Sequence, residues 1–230
     1  MKNNSFSSVL SIVFFVSTLA LTLFSWVGSV YGLDGVQSLL SAEGIRWSLG
    51  HVVENYVQSP ALGMVLIFFM GVGIGNHSGL YDALKRLFRK ERKLSRKEVR
   101  ALTLASVALL LYVVLVGALL LPWNFLYGVT GSWLHSPFSK GLVYMLALGI
   151  GWLGIVYGYA SDAFRRLSDV VEGMSSFIMA RAFGFVSLFF VVQFFSSLAY
   201  THLMEWMGIP DDLIKGLYLF FCFFPFFFKK

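Results

Sequence analysis

The sequence predicts an all-α fold: a polytopic membrane helix bundle of about five transmembrane helices with short interfacial helices beside them. Three observations lead there. Residues 101–123 form a run of 23 without a charge. As a helix, that run is roughly 35 Å long at 1.5 Å per residue, enough to cross about 30 Å of hydrocarbon. Nine Lys and Arg, from Lys85 to Arg100, stand directly before it. Basic loops of this kind stay on the cytoplasmic side and set orientation. Finally, the chain is 57% hydrophobic and only 13% charged, where a soluble domain carries about 25% charged residues. A water-soluble domain of 230 residues could not hide that much apolar surface.

The net charge of +6 invites a nucleic-acid reading. Half of the 18 Lys and Arg sit in one block between two apolar spans, however. A juxtamembrane block meets anionic lipid and satisfies orientation, so the bilayer is the expected partner and nucleic acid is not. The single cysteine, Cys222, excludes an intramolecular disulfide and a cysteine-cluster metal site.

Five apolar segments follow in order: about 8–31, 61–80, 101–123, 141–160 and 178–200. The first has only Lys2 before it and exceeds the length of a signal-peptide core, which favours an uncleaved anchor. The Lys and Arg distribution then places the amino terminus, 81–100 and 161–177 inside, and 32–60 and 124–140 outside. Within the external segment, Ile45, Leu49, Val52, Val53 and Tyr56 have helical spacing. A short interfacial helix on the outer face is expected there. A similar one is expected inside over 163–176, where Asp169 and Glu172 have capping-box spacing. The bundle is assigned to 1–205. Residues 206–230 form a short apolar tail rich in phenylalanine and containing Pro225. That tail is too short to span comfortably, and reads as a re-entrant or interfacial segment or as the start of a further helix.

Candidate functional residues are few. Gly71, Gly75 and Gly79 form overlapping small-xxx-small pairs, and Gly154 and Gly158 form another. The physical reading is close helix packing, because glycines let backbones approach. No Lys-Ser/Thr follows the glycines, so a phosphate loop is not expected. Asn76 and His77 are read as polar contacts with headgroups or neighbouring helices near the end of the second span, with a transport-pathway role as the alternative. Gln193 falls well inside the fifth span, where a helix–helix hydrogen bond is the default. His51, His135 and His202 are isolated. Asp162, Arg165, Arg166 and Asp169 form a charged cluster explained by local pairing and snorkelling. No catalytic residue, metal site or cofactor is expected, no substrate-binding residue is identifiable, and an enzyme is not indicated.

Three stretches together resemble the p-aminobenzoyl-glutamate transporter (AbgT) family. The first joins Ser38-Leu-Leu-Ser-Ala-Glu-Gly-Ile-Arg-Trp47 to Pro60-Ala-Leu-Gly-Met-Val-Leu66 and Gly71-Val-Gly-Ile-Gly-Asn-His-Ser-Gly-Leu80. The second comprises Leu94-Ser-Arg-Lys-Glu-Val-Arg-Ala-Leu102, Leu121-Pro-Trp123, Gly128-Val-Thr-Gly131 and Ser136-Pro-Phe-Ser-Lys-Gly141. The third comprises Gly154-Ile-Val-Tyr-Gly-Tyr159, Asp169-Val-Val-Glu-Gly-Met174 and Phe189-Phe-Val-Val-Gln-Phe194. The match lies in their order and spacing across about 38–205.

The resemblance implies a multi-pass protein of the bacterial inner membrane. It also implies a dimer whose subunits divide into an outer scaffold and a transport core with two re-entrant hairpins. Family members run to roughly twice this length. The five spans here correspond to the scaffold helices. The first hairpin, which belongs between Leu80 and Leu94, is replaced by a short basic linker, and the chain stops where the second would begin. Asn76 and His77 replace an acidic–basic pair of the family. The resulting expectation is a scaffold or accessory module without autonomous transport, working as a homodimer or as a heteromer with another membrane protein. The alternatives are an oligomer that moves p-aminobenzoyl-glutamate or antimetabolites with an ion gradient, and a decayed transporter remnant.

Overall fold

A computed structural model describes residues 5–89, 94–120 and 136–227, and every regular element among them is an α-helix. The middle of the basic linker, the 121–123 and 128–131 motifs and His135 lie outside the described residues. By length and composition, five described segments can cross a membrane: Phe6–Val30, Ala42–His77, Arg96–Leu120, Pro137–Ala160 and Ala182–Thr201. The second contains two helices, Ala42–Val57 and Leu62–His77, with a break between them. Exposed apolar side chains such as Ile12, Leu23, Leu110 and Leu111 cover the outside of the spans. In lipid such surfaces are solvated rather than aggregation-prone. The chain divides into two compact units, residues 1–63 with 181–230, and residues 64–180.

In the first unit, α1 is Ser5–Val30, α2 is Ala42–Val57, α8 is Ala182–Thr201, α9 is the short Leu203–Trp206 and α10 is Asp211–Phe227. Helix α8 is the hub, with Leu188, Val191 and Val192 fully buried. α1 runs the same way beside it. The Ser11 and Ser187 hydroxyls meet at 2.9 Å, and Phe14 sits edge-on to Phe194 and Phe221. Ser25 is fully buried and its Oγ accepts from the Leu39 amide at 3.2 Å, which ties the following loop to α1. The residues read as an apolar tail contain α10, which runs antiparallel along α8. Tyr218 lies against Phe195, Phe226 against Phe185, and the Arg181 guanidinium donates to the Phe226 carbonyl. Cys222 is fully buried there.

The helix expected flat on the outer face over 44–57 is α2, and its placement differs. It runs antiparallel along α8: Trp47 stacks on Tyr200 at 4.4 Å, Gln193 reaches Val52, and Tyr56 donates to the Phe185 carbonyl at 3.0 Å. Two apolar faces explain this. One packs on α8, while Ile45, Leu49, Val53 and Val57 form an exposed stripe.

In the second unit, α3 is Leu62–His77, α4 is Leu80–Arg89, α5 is Arg96–Leu120, α6 is Pro137–Ala160 and α7 is Leu167–Ala180. α6 starts on a Ser136 N-cap that accepts from the Ser139 amide at 3.2 Å, with Pro137 in its first turn. α5 and α6 are antiparallel. The Tyr112 hydroxyl donates to the Met145 carbonyl at 2.7 Å, while Ala101 and Ala105 pack with Tyr157, Leu80 and Ala83. The expected cap of the inner helix also differs in register. Because α7 begins at Leu167, Asp169 lies in its first turn, and its carboxylate accepts from the Arg165 and Arg166 amides at 2.7 and 3.0 Å. Those are N–H groups that the helix itself leaves unpaired.

Candidate functional site

α3 is a 16-residue helix in which four glycines could be counted as weaknesses. The geometry gives three of them, Gly71, Gly73 and Gly75, a purpose. α3 and α6 run parallel and touch backbone to backbone. A Cβ on Gly71 would fall on the Ala147 carbonyl and 2.9 Å from the Ala147 Cα. One on Gly154 would lie 2.9 Å from the Gly75 nitrogen and 3.0 Å from its Cα. Gly151 completes the row beside Ile74. On the opposite side of α3, Gly73 meets the backbone of Gly173 and Met174 in α7. These approaches suit the small-residue crossings of membrane helices. Of these, the sequence reading picked out Gly71, Gly75 and Gly154 and missed Ala147, Gly151, Gly73 and Gly173. Gly73 lies two residues from Gly71 and Gly75, about 200° round the helix, so small-xxx-small spacing does not include it and its role shows only where α7 packs.

Gly158 packs differently: its open side holds the ring of Phe164, which is buried. Gly79 is not a packing glycine. Its φ is +79° and nothing lies within 4 Å of the position of a Cβ. It supplies the left-handed turn between α3 and α4, a conformation for which glycine has no steric penalty. Spacing alone cannot separate that role from packing.

Asn76 and His77 are exposed at the end of α3. The imidazole of His77 stands at 6.0 Å and 25° to the Phe164 ring. The neighbouring Ser78 is buried; its Oγ donates to the Gly75 carbonyl at 3.0 Å and accepts from the Leu80 amide at 3.3 Å. α3 thereby turns directly into α4. An apolar groove of about 350 Å³ borders the crossing, lined by residues such as Ile67, Met70, Tyr144 and Trp152.

The charged residues cluster at the same end of this unit. Arg86 pairs with Glu98 at 2.6 Å, and Glu98 also accepts from the Ser95 amide at 2.8 Å. Lys97 pairs with Asp162 at 2.8 Å. The hydrogen bond from Lys97, and then its charge, hold the Asp162 carboxyl below the ordinary carboxylate range. The two backbone donors at Arg165 and Arg166 do the same for Asp169. The Lys97–Asp162 pair is well exposed, so it is worth little against water.

Gln193 belongs to the first unit, at the middle of α8. Its Nε2 donates to the Val52 carbonyl at 2.8 Å. It lines a cleft of about 370 Å³ formed by α1, α2 and α8, with aromatic walls that include Trp47, Phe189 and Phe190. His202 Nδ1 lies 3.0 Å from Glu205 Oε2 across a tight turn, a pairing the sequence reading did not pick up. Among the described residues, no cluster of His, Cys, Asp or Glu has the arrangement of a metal site.

Comparison with known proteins completes the description. The profile of the AbgT transporter family matches residues 7–94 and 85–215. The p-aminobenzoyl-glutamate transport protein of Escherichia coli (strain K12) is 37% identical over 79 residues, 33% of this chain and 15% of that protein. The match thus spans well under a quarter of the relative's length. The YdaH transporter of Alcanivorax borkumensis aligns with a TM-score of 0.72 at 18% identity, covering 90% of this chain and 76% of the other. MtrF of Neisseria gonorrhoeae, from a class described as antimetabolite efflux pumps, aligns with a TM-score of 0.76 at 17% identity, covering 86% of this chain and 70% of the other.

Proposed function

Because the chain belongs to the AbgT transporter family, we propose that it is a membrane scaffold or accessory module that does not move solute on its own. One observation carries this reading. α3 ends at His77 and passes through the Ser78–Gly79 turn into the ten-residue α4. At that point the family resemblance places a re-entrant hairpin. The family match comes in two segments, 7–94 and 85–215, which overlap over 85–94, just past that turn. Broken helices at midplane are what coordinate substrate and ion in transporters of this kind. The spans offer little substitute: 8–30, 62–77, 101–120, 141–160 and 182–201 contain no Asp, Glu, Lys or Arg, and His77 at the exposed end of α3 is their one ionisable group of the kinds that mark ion pathways in membranes.

The chain is multi-pass, and we place it in the bacterial inner membrane with its amino terminus and the basic linker in the cytoplasm, following the Lys and Arg asymmetry. Its working form is a homodimer or a heteromer with another membrane protein, such as a full-length relative. The cargo of such a heteromer would be p-aminobenzoyl-glutamate or a related antimetabolite, driven by an ion gradient. Mild-detergent purification from native membranes, followed by native mass spectrometry, tests the assembly. A second copy of this chain or a full-length relative is expected in the complex. A strictly monomeric protein with no such partner would contradict the reading.

A further inference from the structure

The cleft between α1, α2 and α8 has a polar floor at a depth where polar groups are expensive. Gln193 spends one amide N–H on the Val52 carbonyl. Among the described residues its Oε1 has no partner, and neither do the hydroxyls of Ser48 and Ser197 that line the same cleft. Thr18 and Thr22 donate to the Phe14 and Thr18 carbonyls of their own helix, each at 2.8 Å, so in the cleft they can only accept. The lining therefore offers Gln193 Oε1 and the two threonine hydroxyls as acceptors, and two serine hydroxyls that can accept or donate. It also contains no charged side chain. An unsatisfied polar atom in hydrocarbon costs free energy that a ligand with the right donor would recover.

The walls and the rim say where that ligand comes from. Trp47, Phe189 and Phe190 provide aromatic faces. At the rim, Phe15 is 48% exposed, Ile45 48% and Leu49 78%. These apolar side chains belong to the surface that a bilayer covers, so the cleft opens towards lipid. Its volume of about 370 Å³ suits a molecule of two rings, at the small end of ligand sites, about 300–1,000 Å³.

We propose that this cleft binds a small, neutral, lipid-soluble aromatic molecule carrying a hydrogen-bond-donating hydroxyl or amino group, taken up from the bilayer. The ring packs between Trp47 and the α8 phenylalanines, and the donor meets Gln193 Oε1 and the serine hydroxyls. An acyl chain would fill the walls but leave the floor unpaired. A carboxylated solute would bring its charge into a lining that holds no cation.

Photolabelling of the full chain in proteoliposomes tests this, with 4-hydroxybenzophenone as the probe at a pH where its phenol is neutral. The expected result is saturable labelling of peptides from α2 and α8, competed by 1-naphthol. Ser48→Ala combined with Ser197→Ala removes two unpaired hydroxyls and no existing bond, so an unchanged melting temperature is expected. That variant should weaken labelling by about tenfold, two neutral hydrogen bonds' worth. Benzophenone, which keeps the carbonyl but lacks the donor, should label more weakly than the phenol and lose less on the serine variant. Labelling that is unsaturable and spread over α5 and α6 would overturn the proposal. So would saturable labelling that neither the serine variant nor loss of the probe's hydroxyl changes, the behaviour of an acyl-chain groove.

Discussion

An added methyl group separates the glycines of this chain into kinds. At Gly71 and Gly154 it would strike the backbone of the neighbouring helix, which cannot rotate away. Gly154→Ala should therefore lower stability by about 1–3 kcal/mol, the usual cost of overpacking. At Gly117 nothing lies within 4 Å, and Gly117→Ala should be neutral or stabilising by up to about 1 kcal/mol through helix propensity. Thermal melts of the two variants in one detergent compare them directly. Gly79→Ala should also destabilise, but through its positive φ rather than a clash. The Asp169 cap predicts a pH dependence. Its carboxyl is held low by the Arg165 and Arg166 amides. Its contribution is thus present above the unfolded carboxylate pKa, about 3.9, and is lost as pH falls through the depressed folded value. Hydrogen exchange at those two amides, corrected for intrinsic rate, should stay slow from about pH 8 down through the ordinary carboxylate range, about 3.9, and quicken only below it. Asp169→Asn should abolish that dependence.

At the level of helices, α2 and α8 form the contact least visible in the sequence. Gln193→Leu should loosen it by about 0.6 kcal/mol, the average for hydrogen bonds between membrane helices. Exchange at the amides of Val52 to Tyr56 should quicken while those of α6 stay unchanged. The spans themselves were legible because span length and charge exclusion are local properties. The basic block was legible for the same reason, although Lys85, Arg86 and Arg89 lie in helix α4 rather than in a linker. The path of α2 was not. Leu49 and Val53 suit a headgroup surface and a lipid face equally well, and the meaning of Trp47, Val52 and Tyr56 depends on Tyr200, Gln193 and Phe185 more than 120 residues away. The small-xxx-small spacing pointed to Gly71, Gly75 and Gly154, yet it could not distinguish Gly79, where the same residue type serves a turn. The phenylalanine-rich end looked too short and too repetitive to place. Its order comes from ring contacts with α1 and α8, such as Phe224 with Phe6, which composition does not encode.

At the scale of the whole molecule, orientation and activity are both open to measurement. In a Cys222→Ser background, Lys85→Cys should resist an impermeant thiol reagent in intact cells and react after permeabilisation, because basic linkers stay in the cytoplasm. Labelling in intact cells would invert the topology. The central claim is that this family member lacks autonomous transport, because α3 turns into α4 where a substrate-binding hairpin is expected. Gradient-driven uptake of p-aminobenzoyl-glutamate into proteoliposomes holding only this chain tests that most directly. The account predicts uptake no faster than in protein-free liposomes under either a proton or a sodium gradient. Saturable uptake that collapses when the gradient is dissipated would contradict it.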